Sequence, residues 1–267
     1  SCFYLKRALA AKFRVSEDRL AIGNGSDELI VMAIRAFVGQ DEEVLTAKPT
    51  FLIYKIAAQV HGAKVVEVPQ KDNRYDLKAM ARAVTSKTKM IFIANPDNPT
   101  GTYARRAELQ AFLKDVPVRC LVFLDEAYYE YAEREKDYPR TLNWLDRPNL
   151  LVSRTFSKAY GLCGFRVGYS FAHPDVTAGM NKVREPFNIN SPAQAAALAA
   201  LADKAFLSKV VTQTCAERRR LNAELQKRGL RTVPSAANFI LVHAGADAPV
   251  LYQGLLRRGV IVRHMKS

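Results

Sequence analysis

Cysteine and histidine are scarce in this sequence, with four of each among 267 residues. The cysteines form no Cys-x-x-Cys pair, and no histidine stands beside them at a spacing typical of metal ligands. They lie far apart, at Cys2, Cys120, Cys163 and Cys215. The sequence therefore predicts neither a disulfide framework nor a metal site.

Long apolar runs are also absent. No stretch approaches the roughly 20 uncharged apolar residues that are needed to cross a bilayer. The first residues, SCFYLKRALAAKF, carry charges where a signal peptide would have its apolar segment. Internal repeats and low-complexity segments are missing as well. The sequence thus predicts a cytoplasmic protein without a membrane span.

What the sequence has in excess is positive charge, with 40 Lys and Arg against 26 Asp and Glu and a formal net charge of +14. Clustered basic residues bind nucleic acids and anionic membranes, because they release counterions from phosphates. Here the basic residues are scattered among acidic ones, and the densest runs, at 217–220 and 257–258, lie in helix-like sequence. We expect solvated helix faces there, no nucleic-acid or membrane partner, and a field that favours anionic substrates.

Over the first two thirds of the chain, short β-branched runs alternate with amphipathic stretches. Strands are predicted at 43–46, 64–68, 90–94, 120–124, 150–153 and 167–171. Helices are predicted at 27–37, 51–61, 77–83, 105–114 and 194–207. The alternation indicates an α/β fold with three layers, α/β/α, in which helices cover both faces of a mostly parallel sheet.

The pattern changes after about residue 205. A long charged helix is predicted at 209–228, followed by strand-like pieces at 239–242 and 260–262. We therefore expect two domains, a large one over 1–205 and an incomplete, smaller α+β domain over 206–267.

The segment 153–166, SRTFSKAYGLCGFR, follows a predicted strand, so its polar side chains should emerge at the carboxyl end of the sheet, where ligands of open α/β sheets bind. Small and hydroxylated neighbours can desolvate Lys158 and so favour the free amine that attacks an aldehyde. Thr155, Ser157 and Arg166 could then hold a phosphate. A plain surface lysine beside a helix start is the alternative.

Three further segments bear on that choice. A rigid turn, NPDNPTG at 95–101, could aim the Asn98 amide at a ligand or simply connect a strand to a helix. Asp125 ends an apolar strand and needs a partner there, either a buried cation or the N-terminus of a helix that it caps. The glycine-rich turn at 22–28 offers backbone N–H groups to a phosphate, although its acidic residues could instead cap the helix.

The segments GNGSDE, KPTF, NPDNPTG, DEAYYEY and SRTFSKAYGLCGFRVGY occur in an order and at spacings that resemble aminotransferases of the aspartate-aminotransferase fold. Within that superfamily the sequence is most similar to the histidinol-phosphate aminotransferase family, over nearly its whole length. The segments that carry this closer similarity are GNGSDELI, KVREPFNINSPAQAAALAAL and VIVRHMKS.

The resemblance implies that the cofactor is pyridoxal 5'-phosphate and that Lys158, Asp125 and Tyr128 are the catalytic residues. Lys158 would form a Schiff base with the cofactor and shuttle a proton, and Asp125 would pair with the pyridine nitrogen. The resemblance also implies that Asn98 and Tyr128 hydrogen-bond the phenolic oxygen and that Phe51, where the family usually has tyrosine, stacks on the ring. Around the phosphate it places Ser26, Asp27, Thr155, Ser157 and Arg166.

For the substrate, the resemblance implies contacts from Arg263 and from Asn238. An exposed arginine on an edge strand is the alternative for Arg263. Similar enzymes carry an N-terminal arm and a C-terminal segment that have no match here, so we expect the sequence to be a fragment.

The implied reaction transfers the amino group of histidinol phosphate to 2-oxoglutarate, giving glutamate, in histidine biosynthesis, with a homodimer as the active form. Three alternatives share the cofactor site: an aromatic or other amino-acid aminotransferase, a threonine-phosphate decarboxylase, and a regulatory domain that binds the cofactor beside a DNA-binding domain. No helix-turn-helix pattern is visible in these residues to favour the regulator.

Overall fold

A seven-stranded sheet forms the centre of the protein in a computed structural model that describes residues 2–265. Its order is β1-β7-β6-β5-β4-β2-β3, and β7 alone among these strands runs in the opposite direction. The strands are β1 Leu20–Gly23, β2 Glu43–Lys48, β3 Lys64–Pro69, β4 Thr88–Ala94, β5 Leu121–Asp125, β6 Leu150–Thr155 and β7 Gly168–Ala172. The predicted, mostly parallel sheet is confirmed.

Ten α-helices accompany the sheet in the described part of the chain. They are α1 Phe3–Phe13, α2 Ser26–Phe37, α3 Ile53–Val60, α4 Leu77–Arg82, α5 Arg106–Asp115, α6 Tyr129–Ala132, α7 Pro174–Lys182, α8 Ser191–Ala202, α9 Lys204–Lys227 and α10 Ala248–Leu256. Helices α2, α3 and α7 bury side chains on one face of the sheet, and α1, α4, α5 and α8 on the other. The predicted three-layer α/β/α architecture is confirmed.

The central strands are apolar on both faces because each face is covered by helices. In β5, Val122 and Leu124 point into one layer, while Leu121 and Phe123 point into the other. Side chains alternate in this way along any strand, so the polar residue that ends β5, Asp125, is held at the edge of two packed cores.

The helix predicted at 194–207 is wrong in one respect, since two helices occupy that stretch. The break lies at Asp203, whose carboxylate accepts a hydrogen bond from the backbone N–H of Phe206 over 2.9 Å. A side chain that satisfies a free N–H in this way starts a helix. The predicted domain boundary after residue 205 falls in the first turn of α9, and the division into two domains stays a prediction.

After α9 the chain forms a two-stranded antiparallel ladder of β8 Arg231–Thr232 and β9 Val242–His243. The strand predicted at 239–242 is thus mostly wrong, and the strand predicted at 260–262 is wrong. A strand needs a neighbour for its backbone groups, and no described strand lies beside 260–262, where Ile261 is 83% exposed. No helix within residues 2–265 has the length and apolarity of a membrane span.

Candidate active site

The polar segments singled out in the sequence meet at the carboxyl ends of β4, β5 and β6, beside the N-terminus of α2. They line a cavity of about 120 Å³. Its walls include every residue predicted to hold the cofactor, namely Ser26, Asp27, Phe51, Asn98, Asp125, Tyr128, Thr155, Ser157, Lys158 and Arg166. The cavity lies where parallel strands of open α/β sheets present their ligand-binding groups.

Asp125 is buried at the inner end of the cavity, with 4% of its surface exposed. Its carboxylate accepts hydrogen bonds from the Tyr54 hydroxyl at 2.8 Å, the Ser153 hydroxyl at 3.1 Å and the Ala127 backbone N–H at 3.1 Å. Burial raises the pKa of Asp125 above its usual value, although these hydrogen bonds oppose the rise. No described cation forms an ion pair with it, so the carboxylate remains available to a positively charged ligand atom.

Asn98 and Tyr128 form the neighbouring wall. The Asn98 side-chain N–H donates to the Tyr128 hydroxyl oxygen over 3.0 Å. The turn that carries Asn98 is closed by the Gly101 N–H, which donates to the Asp97 carbonyl over 2.8 Å. Burial raises the pKa of Tyr128 to about 12. Tyr128 therefore keeps its proton at neutral pH and can donate a hydrogen bond to a ligand oxygen.

Lys158 follows β6 and is half-buried in the cavity wall. Its Nζ lies 5.4 Å from the centroid of the Tyr128 ring. The turn is fixed on both sides, because the Ser157 N–H donates to the Thr155 hydroxyl at 3.1 Å and the Gly161 N–H donates to the Lys158 carbonyl at 3.0 Å. Lys158 lines the cavity, and its amine takes part in none of the ion pairs or hydrogen bonds among the described residues.

Arg166 closes the other end of the cavity above the N-terminus of α2. Its guanidinium donates to the Asp27 carboxylate at 3.1 Å and to the Ser157 hydroxyl at 3.3 Å. Gly25, with φ of +79°, leaves room for this, since a Cβ there would lie 2.3 Å from Nη2 of Arg166. A guanidinium beside the unpaired N–H groups of a helix start forms an anion site.

Tyr54 also lines the cavity, although sequence reasoning missed it. Its ring is fully buried and stacks on Phe92, with centroids 4.6 Å apart and planes 7° from parallel. The available signal was its position three residues after Phe51, which places two aromatic side chains on one side of a helical turn. Ser153 opens the predicted segment 153–166, but the sequence did not indicate its hydrogen bond to Asp125.

The two residues predicted to contact the substrate lie outside the cavity wall. Arg263 is exposed in the stretch after α10, and Asn238 is exposed beside Phe239. Phe239 packs edge to face on Tyr128, with ring centroids 5.3 Å apart. Asn238 is therefore one residue away from a direct contact with the site, and both substrate contacts stay predictions.

The chain is similar to known aminotransferases over nearly its whole length. A family model described as aminotransferase class I and II matches residues 4–267. Histidinol-phosphate aminotransferase from Moorella thermoacetica is 45% identical over 265 residues, which are 98% of this chain and 68% of that protein. Histidinol-phosphate aminotransferase 2 from Ralstonia nicotianae is 49% identical over 98% of this chain and 71% of that protein.

A solved structure shares the fold as well. It is histidinol-phosphate aminotransferase from Sinorhizobium meliloti in complex with pyridoxal 5'-phosphate, which superposes with a TM-score of 0.93 at 35% sequence identity. The match covers 98% of this chain and 72% of that one.

Proposed function

The chain belongs to the class I and II aminotransferases, and we propose that it transfers the amino group of histidinol phosphate to 2-oxoglutarate in L-histidine biosynthesis. Its cofactor is pyridoxal 5'-phosphate, which the Sinorhizobium meliloti relative binds. The observation that carries the proposal is the cavity itself, in which an unpaired amine, a buried carboxylate and an arginine at a helix start face one space.

These residues fit the cofactor group by group. Asp125 is a buried carboxylate without a described cation, so the protonated pyridine nitrogen would supply it with an opposite charge. The phosphate would be held by Arg166, Ser157, Thr155 and the start of α2. Gly25 leaves room for the guanidinium of Arg166, because a Cβ at that position would fill the same space.

The remaining residues would bind the ring and move protons. Lys158 would hold the cofactor covalently and, once displaced by the substrate amine, carry a proton from the substrate carbon on Nζ. Asn98 and Tyr128, already joined at 3.0 Å, would donate to the phenolic oxygen, and Phe51 would cover the ring face. When bound, the protonated pyridine ring withdraws the electrons that remain on the substrate carbon after it loses its proton.

Histidinol phosphate is favoured as the amino donor by the names of the similar enzymes, at 44–49% identity over 98% of this chain. The net charge of +14 would also attract a phosphorylated donor and a dicarboxylic acceptor. Arg263 and Asn238 remain the residues proposed to contact the substrate, which requires that the stretch after α10 approach the cavity.

A homodimer and a cytoplasmic location complete the proposal. Large aromatic side chains are exposed at the start of α1 and in the loop between α7 and α8, where Phe3 is 53%, Tyr4 74% and Phe187 90% exposed. Apolar surface of this kind is typical of contacts between subunits. Sedimentation of the cofactor-loaded protein at twice the monomer mass is the expected result.

The decisive experiment compares turnover of histidinol phosphate, phenylalanine and threonine phosphate, each with 2-oxoglutarate, by the cofactor-loaded protein. We expect the highest kcat/KM with histidinol phosphate. A higher value with phenylalanine would make the protein an aromatic aminotransferase, and release of carbon dioxide from threonine phosphate would make it a decarboxylase.

A further inference from the structure

Asp97 is a buried carboxylate in the turn after β4, with none of its surface exposed. Oδ1 accepts a hydrogen bond from the Thr50 hydroxyl at 2.9 Å. Oδ2 accepts from the Gln70 side-chain N–H at 2.9 Å and from the Thr100 hydroxyl at 2.8 Å. No described cation pairs with it, so neutral donors alone hold this charge inside the protein.

These donors come from three separate segments of the chain. Thr50 directly precedes Phe51, the residue that would cover the cofactor ring. Thr100 belongs to the turn that carries Asn98, and Gln70 directly follows β3. A single carboxylate therefore joins the segment that carries Phe51 to the turn that carries Asn98, and both of these residues line the cavity.

Gln70 strengthens the same connection. Its side-chain N–H group donates both to Asp97 and to the Pro49 carbonyl, the latter at 2.8 Å. Its Oε1 is buried without a hydrogen-bond partner in the described residues. Reversing the amide would give up both donations, so the carboxylate fixes Gln70 and, through it, the residues that lead into Phe51.

A further link anchors this network to the sheet. The Thr50 hydroxyl lies 2.5 Å from the Tyr75 hydroxyl, and that hydroxyl accepts a hydrogen bond from the Ala94 N–H at 3.1 Å. Ala94 is the last residue of β4 and lines the cavity. The segment before Phe51 is thus held at a fixed distance from the strand end that leads into Asn98.

A buried carboxylate without a cation is costly, and burial raises the pKa of Asp97 above its usual value. An apolar side chain of similar size would fill the turn without that cost, but it could not accept hydrogen bonds from three segments at once. Fully satisfied polar networks specify one arrangement of the groups that they join. This cost indicates that Asp97 serves to position the segments that it joins rather than to stabilise the folded protein.

We propose that Asp97 is a positioning residue that holds Phe51 and Asn98 in the relative placement required by the bound cofactor. This inference rests on the proposed function, because both residues act on the cofactor ring. Phe51 would restrict the ring from its face and Asn98 from its edge, so a displacement of either segment relative to the other weakens the hold on the ring.

The test uses Asp97→Asn, which keeps the size of the side chain and removes the charge, with Asp115→Asn as the control. Asp115 is exposed at the end of α5, so its replacement should change nothing. Two quantities are measured: the dissociation constant of pyridoxal 5'-phosphate, and the visible circular dichroism per bound cofactor, which reports the orientation of the ring.

We expect Asp97→Asn to raise the dissociation constant about tenfold, which equals about 1.4 kcal/mol, and to change the ellipticity per bound cofactor. If both quantities stay at their wild-type values while only the melting temperature falls, Asp97 has a merely structural role and the inference is overturned. If the wild-type protein itself does not bind the cofactor, the proposed function fails instead.

A second pair of variants decides the matter should Asp97→Asn not fold. Thr50→Val keeps the shape of the side chain but removes the donor to Asp97, whereas Thr50→Ser keeps the hydroxyl. The valine variant should show the raised dissociation constant and the altered ellipticity, and the serine variant should match the wild type. Wild-type values for Thr50→Val would overturn the inference.

Discussion

Tyr54 and Asp125 are joined inside the protein by a hydrogen bond of 2.8 Å from the phenol hydroxyl to Oδ2 of the carboxylate. The tyrosine ring is itself held by stacking on Phe92, so its hydroxyl has a fixed position. The bond orients the carboxylate and lowers its pKa against the rise that burial causes. Tyr54 thereby helps to keep a charge on the group proposed to pair with the cofactor nitrogen.

Tyr54→Phe should therefore weaken cofactor binding about tenfold. A hydrogen bond to a charged group contributes about 1.5–3 kcal/mol, and removing this one should reduce the binding free energy of the cofactor by part of that amount. Phenylalanine keeps the stacking on Phe92, so the fold should persist. The measurement is the dissociation constant of pyridoxal 5'-phosphate at pH 7. Tyr252→Phe, on α10 and outside the cavity wall, is the control. Equal constants for wild type and Tyr54→Phe would show that Asp125 does not depend on this bond.

Sequence alone could predict the cavity because its polar residues stand at the carboxyl ends of predicted strands or a few residues beyond them. Asp125 ends β5, Thr155 ends β6, and Asn98 follows β4. Parallel neighbours bring such ends to one edge. The hydrogen bonds of Tyr54 and Asp97 could not be predicted, since their partners lie 71 and 47 residues away along the chain and are adjacent only in the fold.

The missed elements are those whose local sequence is weakly patterned. Helix α7 begins with a proline and contains Gly179, and it is stabilised by Val176 and Met180, which are buried against the layer that contains α2. Strand β1 has only four residues and is stabilised by its pairing with β7. Tertiary packing determines whether such segments form a helix or a strand, and the pattern of residues along the chain does not reveal that packing.

Lys158 is expected to carry the cofactor covalently. Borohydride reduction of the loaded protein should fix the cofactor on the peptide that contains Lys158, as seen by mass spectrometry, because Lys158 is the amine that lines the cavity. Lys158→Ala should show no adduct, whereas Lys182→Ala, at an exposed position on α7, should show the wild-type adduct. An adduct that persists in Lys158→Ala would refute the assignment.

Glu126 and Arg154 form an ion pair of 2.8 Å in which both side chains are at most 1% exposed. Glu126→Gln should reduce the free energy of unfolding by about 3–5 kcal/mol, because the guanidinium stays buried without its counterion. Glu217→Gln breaks an exposed pair of 2.7 Å with Arg220 and should cost less than about 1 kcal/mol. Urea unfolding of both variants measures the difference, and similar losses would contradict the expectation.

Glu130 should make stability depend on pH. Burial raises the pKa of Glu130 from 4.5 to about 7. Between these values the unfolded chain loses the proton that the folded protein keeps, so stability falls as the pH rises from about 4.5 to 7 and levels off above that.

Glu130→Gln cannot titrate and should lack this fall. At pH 8 it should be more stable than the wild type by about 3 kcal/mol at most, and at pH 5 by much less. Urea unfolding at the two pH values tests this, with Glu133→Gln, at an exposed neighbouring position, as the control. A constant difference between Glu130→Gln and the wild type at both pH values would contradict the shift.

Gly25 should be required for the phosphate end of the site. A Cβ at this position would lie 2.3 Å from Nη2 of Arg166, and the backbone has φ of +79°, which side chains with a Cβ rarely adopt. Gly25→Ala should push the guanidinium away and weaken binding of pyridoxal 5'-phosphate by roughly ten- to a hundredfold, since a charge-assisted hydrogen bond contributes about 1.5–3 kcal/mol. Gly164→Ala in the same loop as Arg166 meets no atom within 4 Å and should bind normally. Pyridoxal, which has no phosphate, distinguishes a displaced Arg166 from a distorted α2. If only Arg166 moves, the affinity for pyridoxal should change little in Gly25→Ala. An equal loss of affinity for pyridoxal and for pyridoxal 5'-phosphate would indicate a distorted α2 instead.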